Sequence, residues 1–292
     1  MSIFKGSATA IATPFTEDGK SVDFATLEKF VEFQIASGIK ALIVNGTSGE
    51  ASTMTLAEDS TVLECVLKVA NGRIPIIAGT GSNDTSHAIK ESKIAAKLGA
   101  SAVMLVTPYY NKTSQAGLIK HFEAIADAID IPIILYNVPG RTGMTIQVDT
   151  VLQLMQHPQI VGLKDATGDM SYTMELFAKR SPDFALYCGN DDLLVPFLSM
   201  GGEGVISVVS NMFPEEMQAI CNYAYSGDFT RAAKAANDIY PVFSAIFADV
   251  NPIGVKAGLQ IMGMGNGILR LPLVPMAASQ YAILKEAVAN YK

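Results

Sequence analysis

Ala102-Val103-Met104-Leu105-Val106-Thr107-Pro108-Tyr109-Tyr110-Asn111 is an unbroken apolar run closed by a proline and then by polar rings and an amide. A strand with one wet face alternates apolar and polar residues, whereas a parallel strand covered on both faces does not. The run therefore predicts a buried parallel strand that hands over to a loop at Pro108. Outward in both directions the same unit recurs: a short apolar run, a turn rich in Gly, Thr, Pro or Asn, and a longer segment of helical period. The predicted strands are 8–13, 41–45, 74–78, 102–107, 131–136, 160–164, 185–188 and 204–208. They number eight and recur about every 28 residues, the length of one βα unit, so the expected fold is α/β, a closed (β/α)8 TIM barrel.

The segments between the strands carry helix signals. Residues 22–37 place Phe24, Leu27, Val31 and Ile35 on one stripe before Gly38, and 84–98 end at Gly99. An open doubly wound sheet is the alternative for such a pattern. It is disfavoured because no GxGxxG follows the first strand, Gly79-Thr80-Gly81 lacks the third glycine, and no P-loop occurs. Residues 214–226 read as the helix that completes the barrel; beyond them 228–247, 252–262 and 275–290 read as helix only. The expected organisation is a barrel at 1–227 and a C-terminal helical region at 228–292, with no low-complexity linker between them.

Composition narrows the partners. The chain has 292 residues, 49% of them hydrophobic and 17% charged, enough apolar surface for a large core. Its net charge is −7 and its basic residues are scattered singly, so no nucleic-acid footprint is present. The longest charge-free stretches, 98–111 and 271–284, fall short of the 18 or so residues of a spanning helix. Residues 1–15 lack the long apolar stretch of a secretory signal, and a cytoplasmic protein is expected. Cys65, Cys188 and Cys221 are odd in number and widely spaced, and His87, His121 and His157 form no pair, so neither disulfides nor a protein-bound metal is expected.

In such a barrel the chemistry sits at the C-terminal ends of the strands. The second strand runs into Gly46-Thr47-Ser48-Gly49-Glu50, which reads either as an ordinary capping turn or as hydroxyls and N–H groups that cradle a carboxylate. The tyrosines after Pro108 cannot both point the same way. Tyr136-Asn137-Val138-Pro139-Gly140-Arg141-Thr142-Gly143 joins a phenol to a loop guanidinium suited to a carboxylate. Lys164 ends the apolar run Ile160-Val161-Gly162-Leu163, where an unpaired ammonium is costly and burial favours the neutral, nucleophilic amine. An ion pair with Asp165 is the competing reading, but adjacent strand residues point to opposite faces. Gly189-Asn190-Asp191-Asp192 reads first as a capping turn.

As an ordered set these motifs, with Ala78-Gly79-Thr80-Gly81, Gly162-Leu163-Lys164-Asp165-Ala166-Thr167-Gly168 and Gly204-Val205-Ile206-Ser207-Val208, resemble the dihydrodipicolinate synthase family along essentially the whole chain. The resemblance implies a lyase of lysine and diaminopimelate biosynthesis that condenses pyruvate with L-aspartate 4-semialdehyde, without a cofactor. It implies Lys164 as the Schiff-base lysine, Tyr136 as the proton shuttle, and Thr47 and Tyr110 as the rest of a hydroxyl relay. Thr47, Ser48 and Ile206 would surround pyruvate, Arg141 would receive the carboxylate of the semialdehyde, and Gly189 would line the site. It further implies a homo-oligomer, a tetramer built as a dimer of dimers, with Tyr110 reaching in from a neighbouring subunit. Related pyruvate-dependent aldolases, such as N-acetylneuraminate lyase and keto-deoxy sugar-acid aldolases, share the lysine and tyrosine; Arg141 favours the short semialdehyde. The family more often has two threonines where this chain has Thr47-Ser48. Lysine-inhibited members of the enterobacterial type carry histidines at Leu56 and Asp59 and a glutamate at His87, so weak or absent lysine inhibition is expected here.

Overall fold

A computed structural model describes residues 2–291. Eight strands, β1 (Gly6–Ala10), β2 (Ala41–Val44), β3 (Ile76–Gly79), β4 (Ala102–Val106), β5 (Ile133–Asn137), β6 (Ile160–Asp165), β7 (Ala185–Cys188) and β8 (Gly204–Ser207), run parallel and close into a barrel in chain order. The ring closes where Gly6, Ala8 and Thr9 of β1 pair with Gly204, Ile206 and Ser207 of β8. Helices alternate with the strands: α1 (Phe24–Ala36), α2 (Leu56–Ala70), α3 (Thr85–Leu98), α4 (Gln115–Ala126), the single turn α5 (Pro139–Thr142) with α6 (Val148–Leu154), α7 (Met170–Lys179), α8 (Leu194–Ser199) and α9 (Pro214–Tyr225). Three more follow: α10 (Phe229–Ile246), α11 (Ile253–Ile261) and α12 (Ala278–Tyr291). The expected barrel and helical tail are both present, and no strand follows β8 among the described residues.

Three strands begin elsewhere than their apolar runs suggest. β3 and β5 start two residues late, at Ile76 and Ile133, because Pro75 and Pro132 have no N–H to donate to the ladder and contribute only carbonyls, to Leu42 and Val103. β1 starts early, at Gly6-Ser7, which carry no apolar signal. The helices begin and end as their caps dictate. Asp23, Asp84 and Ser114 accept from Thr26, His87 and Gly117, while Gly99 takes the left-handed conformation (φ 97°) that ends α3.

Side chains along each strand alternate between two cores. Ile43, Ile77, Met104, Ile134, Tyr136, Tyr187 and Ile206 fill the barrel, and Phe4 stacks on Tyr187 at 4.3 Å to plug its N-terminal end. Leu42, Val103, Leu135, Leu163 and Val205 face outward under the helices. Ile239, Val242 and Ile246 of α10, Val255 of α11 and Leu284 of α12 join that same outer core, so the C-terminal helices pack as a continuation of the barrel wall. Among the described residues no helix is long and apolar enough to cross a membrane.

Candidate active site

The upper end of the barrel collects the groups singled out in the sequence. Lys164 stands one residue from the end of β6 and is only 5% exposed. Asp165 next to it turns outward, where Oδ1 accepts from Thr167 N and Oγ1 and Oδ2 accepts from Thr173 Oγ1. Alternation along the strand thus leaves Lys164 without its sequence neighbour, and among the described residues no carboxylate lies within salt-bridge reach of its Nζ. Tyr136, its register partner on β5, holds its ring 4.3 Å from that Nζ.

The 46–50 turn is folded by backbone bonds from Gly49 N to Gly46 O and from Glu50 N to Thr47 O. Glu50 takes a left-handed conformation (φ 56°), unusual for a residue with a side chain, and its carboxylate is fully enclosed. It accepts from Lys256 Nζ and from the backbone N–H of Arg270, both in the C-terminal region. Ser48 is buried and its Oγ accepts from Asn251 Nδ2 at 3.0 Å. Arg141, on the turn α5, donates to Asn251 O at 3.1 Å.

Thr47, Ser48, Tyr136, Arg141, Lys164 and Gly189 all line one cavity of about 380 Å³. It is walled on the tail side by Tyr240, Ser244 and Asn251. A second cavity of about 630 Å³ shares Thr47, Tyr136 and Arg141 with it and extends past Tyr109 to Asp59, His87 and Glu91. Each volume suits a small metabolite. Gly189 is there for clearance: a Cβ on it would stand 2.6 Å from the Ala166 Cβ and 2.9 Å from Asp165 O. Two of the expected residues lie apart. Ile206 is buried in the barrel on β8, two residues before the cavity-lining Val208 that follows the strand. Tyr110 is 92% exposed at φ 67° and lines neither cavity.

Asp191, read from sequence as a helix cap, does something longer-ranged: its Oδ2 accepts from the N–H groups of Val208 and Val209, securing the loop after β8. Burial pushes this carboxyl up, against those hydrogen bonds and the nearby Lys164 charge. Asp59 is raised to about 7, chiefly by burial and then by the charges of Glu91 and Glu58. Position 87 lacks the carboxylate of the lysine-inhibited members, but Glu91, one helical turn on, brings one to the same wall, and it is bonded to His87 Nε2 at 2.8 Å. Asn251 lies in the Asn251-Pro252-Ile253 stretch that the family resemblance also covers, but the sequence assigns no role to it or to Lys256. Their roles come from contacts with Ser48 and Glu50 more than two hundred positions away, which no local pattern reveals. Among the described residues no group of three or more His, Cys, Asp or Glu is arranged to hold a metal ion.

Comparison with known proteins adds a second, independent line. Residues 3–291 match the model of the Dihydrodipicolinate synthetase family. The 4-hydroxy-tetrahydrodipicolinate synthase of Exiguobacterium sibiricum is 50% identical over 290 residues, 99% of each chain. That of Clostridium novyi is 46% identical over 291 residues, 100% of this chain and 98% of the other. Among solved structures, the chloride-inhibited dihydrodipicolinate synthase of Acinetobacter baumannii complexed with pyruvate superposes with a TM-score of 0.97 at 43% identity, covering 99% of each chain. The enzyme from Cyanidioschyzon merolae with lysine bound gives 0.97 at 38% identity, over 100% of this chain and 99% of that one.

Proposed function

The chain belongs to the dihydrodipicolinate synthetase family, and from that premise we propose that Lys164 is the amine through which it works. The activity is that of a 4-hydroxy-tetrahydrodipicolinate synthase, a lyase of diaminopimelate and lysine biosynthesis that condenses pyruvate with L-aspartate 4-semialdehyde. The observation that carries the assignment of Lys164 is its burial at a strand end, within a cavity, with no carboxylate on its ammonium. The free amine adds to the keto carbon of pyruvate, water leaves, and an imine forms. The imine is an electron sink, so a methyl proton departs and the enamine carbon attacks the aldehyde. The substrate's own amine then closes the ring onto the imine carbon and frees Lys164.

Tyr136, whose ring lies against the Lys164 Nζ, would carry the protons of imine formation and release, with Thr47, which lines both cavities, as the next hydroxyl of the relay. The Thr47-Ser48 turn would hold the pyruvate carboxylate, with Ile206 buried in the barrel core, and Arg141 would bind the carboxylate of the semialdehyde. Gly189 keeps the wall open at the β7 end. The exposed, left-handed Tyr110 fits a residue that completes a neighbour's site, which supports a homo-oligomer; we propose a dimer of dimers working in the cytoplasm.

Borohydride reduction in the presence of pyruvate tests the core of this reading. A mass gain equal to reduced pyruvate, mapped to Lys164, is expected; no adduct, or an adduct on another lysine, would overturn it. Arg141→Ala should raise the KM for the semialdehyde while leaving pyruvate trapping intact.

A further inference from the structure

Asn251 sits between α10 and α11 and is 6% exposed. Three observations converge on it. Its Nδ2 donates to Ser48 Oγ at 3.0 Å, its backbone carbonyl accepts from Arg141 at 3.1 Å, and its buried Oδ1 has no hydrogen-bond partner although the residue lines the Lys164 cavity. A buried amide oxygen left unpaired is costly, and such groups survive where a ligand or a function answers them. The two residues it holds come from the segments that follow different strands, β2 and β5, and serve different substrates in the reading above, on which this inference rests.

We propose that Asn251 is a positioning residue whose side-chain amide orients the Ser48 hydroxyl toward pyruvate. A hydroxyl has one proton to give. With its oxygen accepting from Asn251, Ser48 keeps its own O–H free to donate to the carboxylate of pyruvate. The same residue's carbonyl steadies the Arg141 guanidinium over the shared cavity, and because that contact is made by the backbone it persists when the side chain is changed. The side-chain amide therefore acts on pyruvate through Ser48, and its loss should appear in pyruvate binding rather than in turnover.

Steady-state kinetics of N251A, N251D, S48A and S48A/N251A test this. N251A should raise the KM for pyruvate roughly tenfold, the worth of one hydrogen bond to a charged group, with kcat within about twofold of wild type. N251D should raise it further, because a carboxylate must accept from Ser48, drawing its proton away from pyruvate, and repels the substrate anion. In the S48A background the N251A change should add less than about twofold, since the route through Ser48 is already cut. N251D, nearly isosteric, decides the matter if N251A does not fold. An unmoved pyruvate KM, equal effects of N251A and N251D, or an undiminished N251A effect on top of S48A would each overturn the proposal. Borohydride trapping at saturating pyruvate separates the two levels: its failure in the wild-type protein sinks the Schiff-base reading, whereas intact trapping with an unmoved KM sinks the role of Asn251 alone.

Discussion

Lys164 and Asp165 show how far single residues can be read before a structure exists. Their opposite faces follow from the pleat of a strand, and the strand itself from an apolar run, so the isolation of the lysine was legible. His87 shows the limit. Its residue type argues for the loss of a carboxylate, yet helical spacing brings Glu91 to the same wall and His87 bonds it. Weak lysine inhibition is still the expectation, for a different reason: Glu91 is engaged by His87, and Asp59, raised to about 7, is only partly ionised near neutrality. A cationic amino acid therefore meets little free negative charge there at pH 7. Raising the pH ionises Asp59 and should tighten binding. The expected inhibition constant for lysine is weaker than about 1 mM at pH 7 and falls as the pH rises toward about 8.5, a trend D59N abolishes. Sub-millimolar inhibition at pH 7, or a pH trend that survives D59N, would refute this.

At the level of elements, turns and caps were legible and their distant partners were not. The Thr55-Leu56-Ala57-Glu58 start of α2 is a capping box, with Glu58 N donating to Thr55 Oγ1 and Thr55 N to Glu58 Oε2. Nothing local announces that both oxygens of Glu58 also accept from the Arg270 guanidinium, which comes from the segment between α11 and α12. That fork holds the Glu58 carboxyl down at about 2, against an ordinary 4.5. A carboxylate whose folded pKa is depressed adds stability above its unfolded pKa and loses it as the pH falls through the folded one. The window here runs from about 4.5 down to about 2. E58Q keeps the cap but loses the charge. Wild type should exceed it by about 1–2 kcal/mol at pH 7, after allowance for partial solvent screening, and the gap should close across that window. Urea titrations at intervals from pH 7 down to about 2 measure it; a pH-independent gap would show that the charge is not what Arg270 contributes.

For the whole molecule, the net charge of −7 sits oddly with anionic substrates, and Arg141 with the 46–49 turn must attract them locally. kcat/KM should therefore fall only gently with ionic strength, and a steep fall would mean that long-range steering supplies the attraction. The barrel and the tail are tied more tightly than the strand count suggests, because Lys256 of α11 reaches the enclosed Glu50 carboxylate beneath the proposed pyruvate cradle. Lys256 also donates to Ile268 O and lies 4.0 Å from the Phe15 ring centre, so its charge is met on several sides. Removing one partner of such a pair strands the other charge in the core, which costs far more than losing both. K256M should lose about 3–5 kcal/mol, and adding E50Q to it should recover a good part of that loss, because the stranded carboxylate is gone. If residues 228–292 fold as one unit with the barrel, both variants unfold in a single transition. Separate melting of the tail in K256M, or an E50Q/K256M double variant no more stable than K256M, would refute the view that this pair joins them.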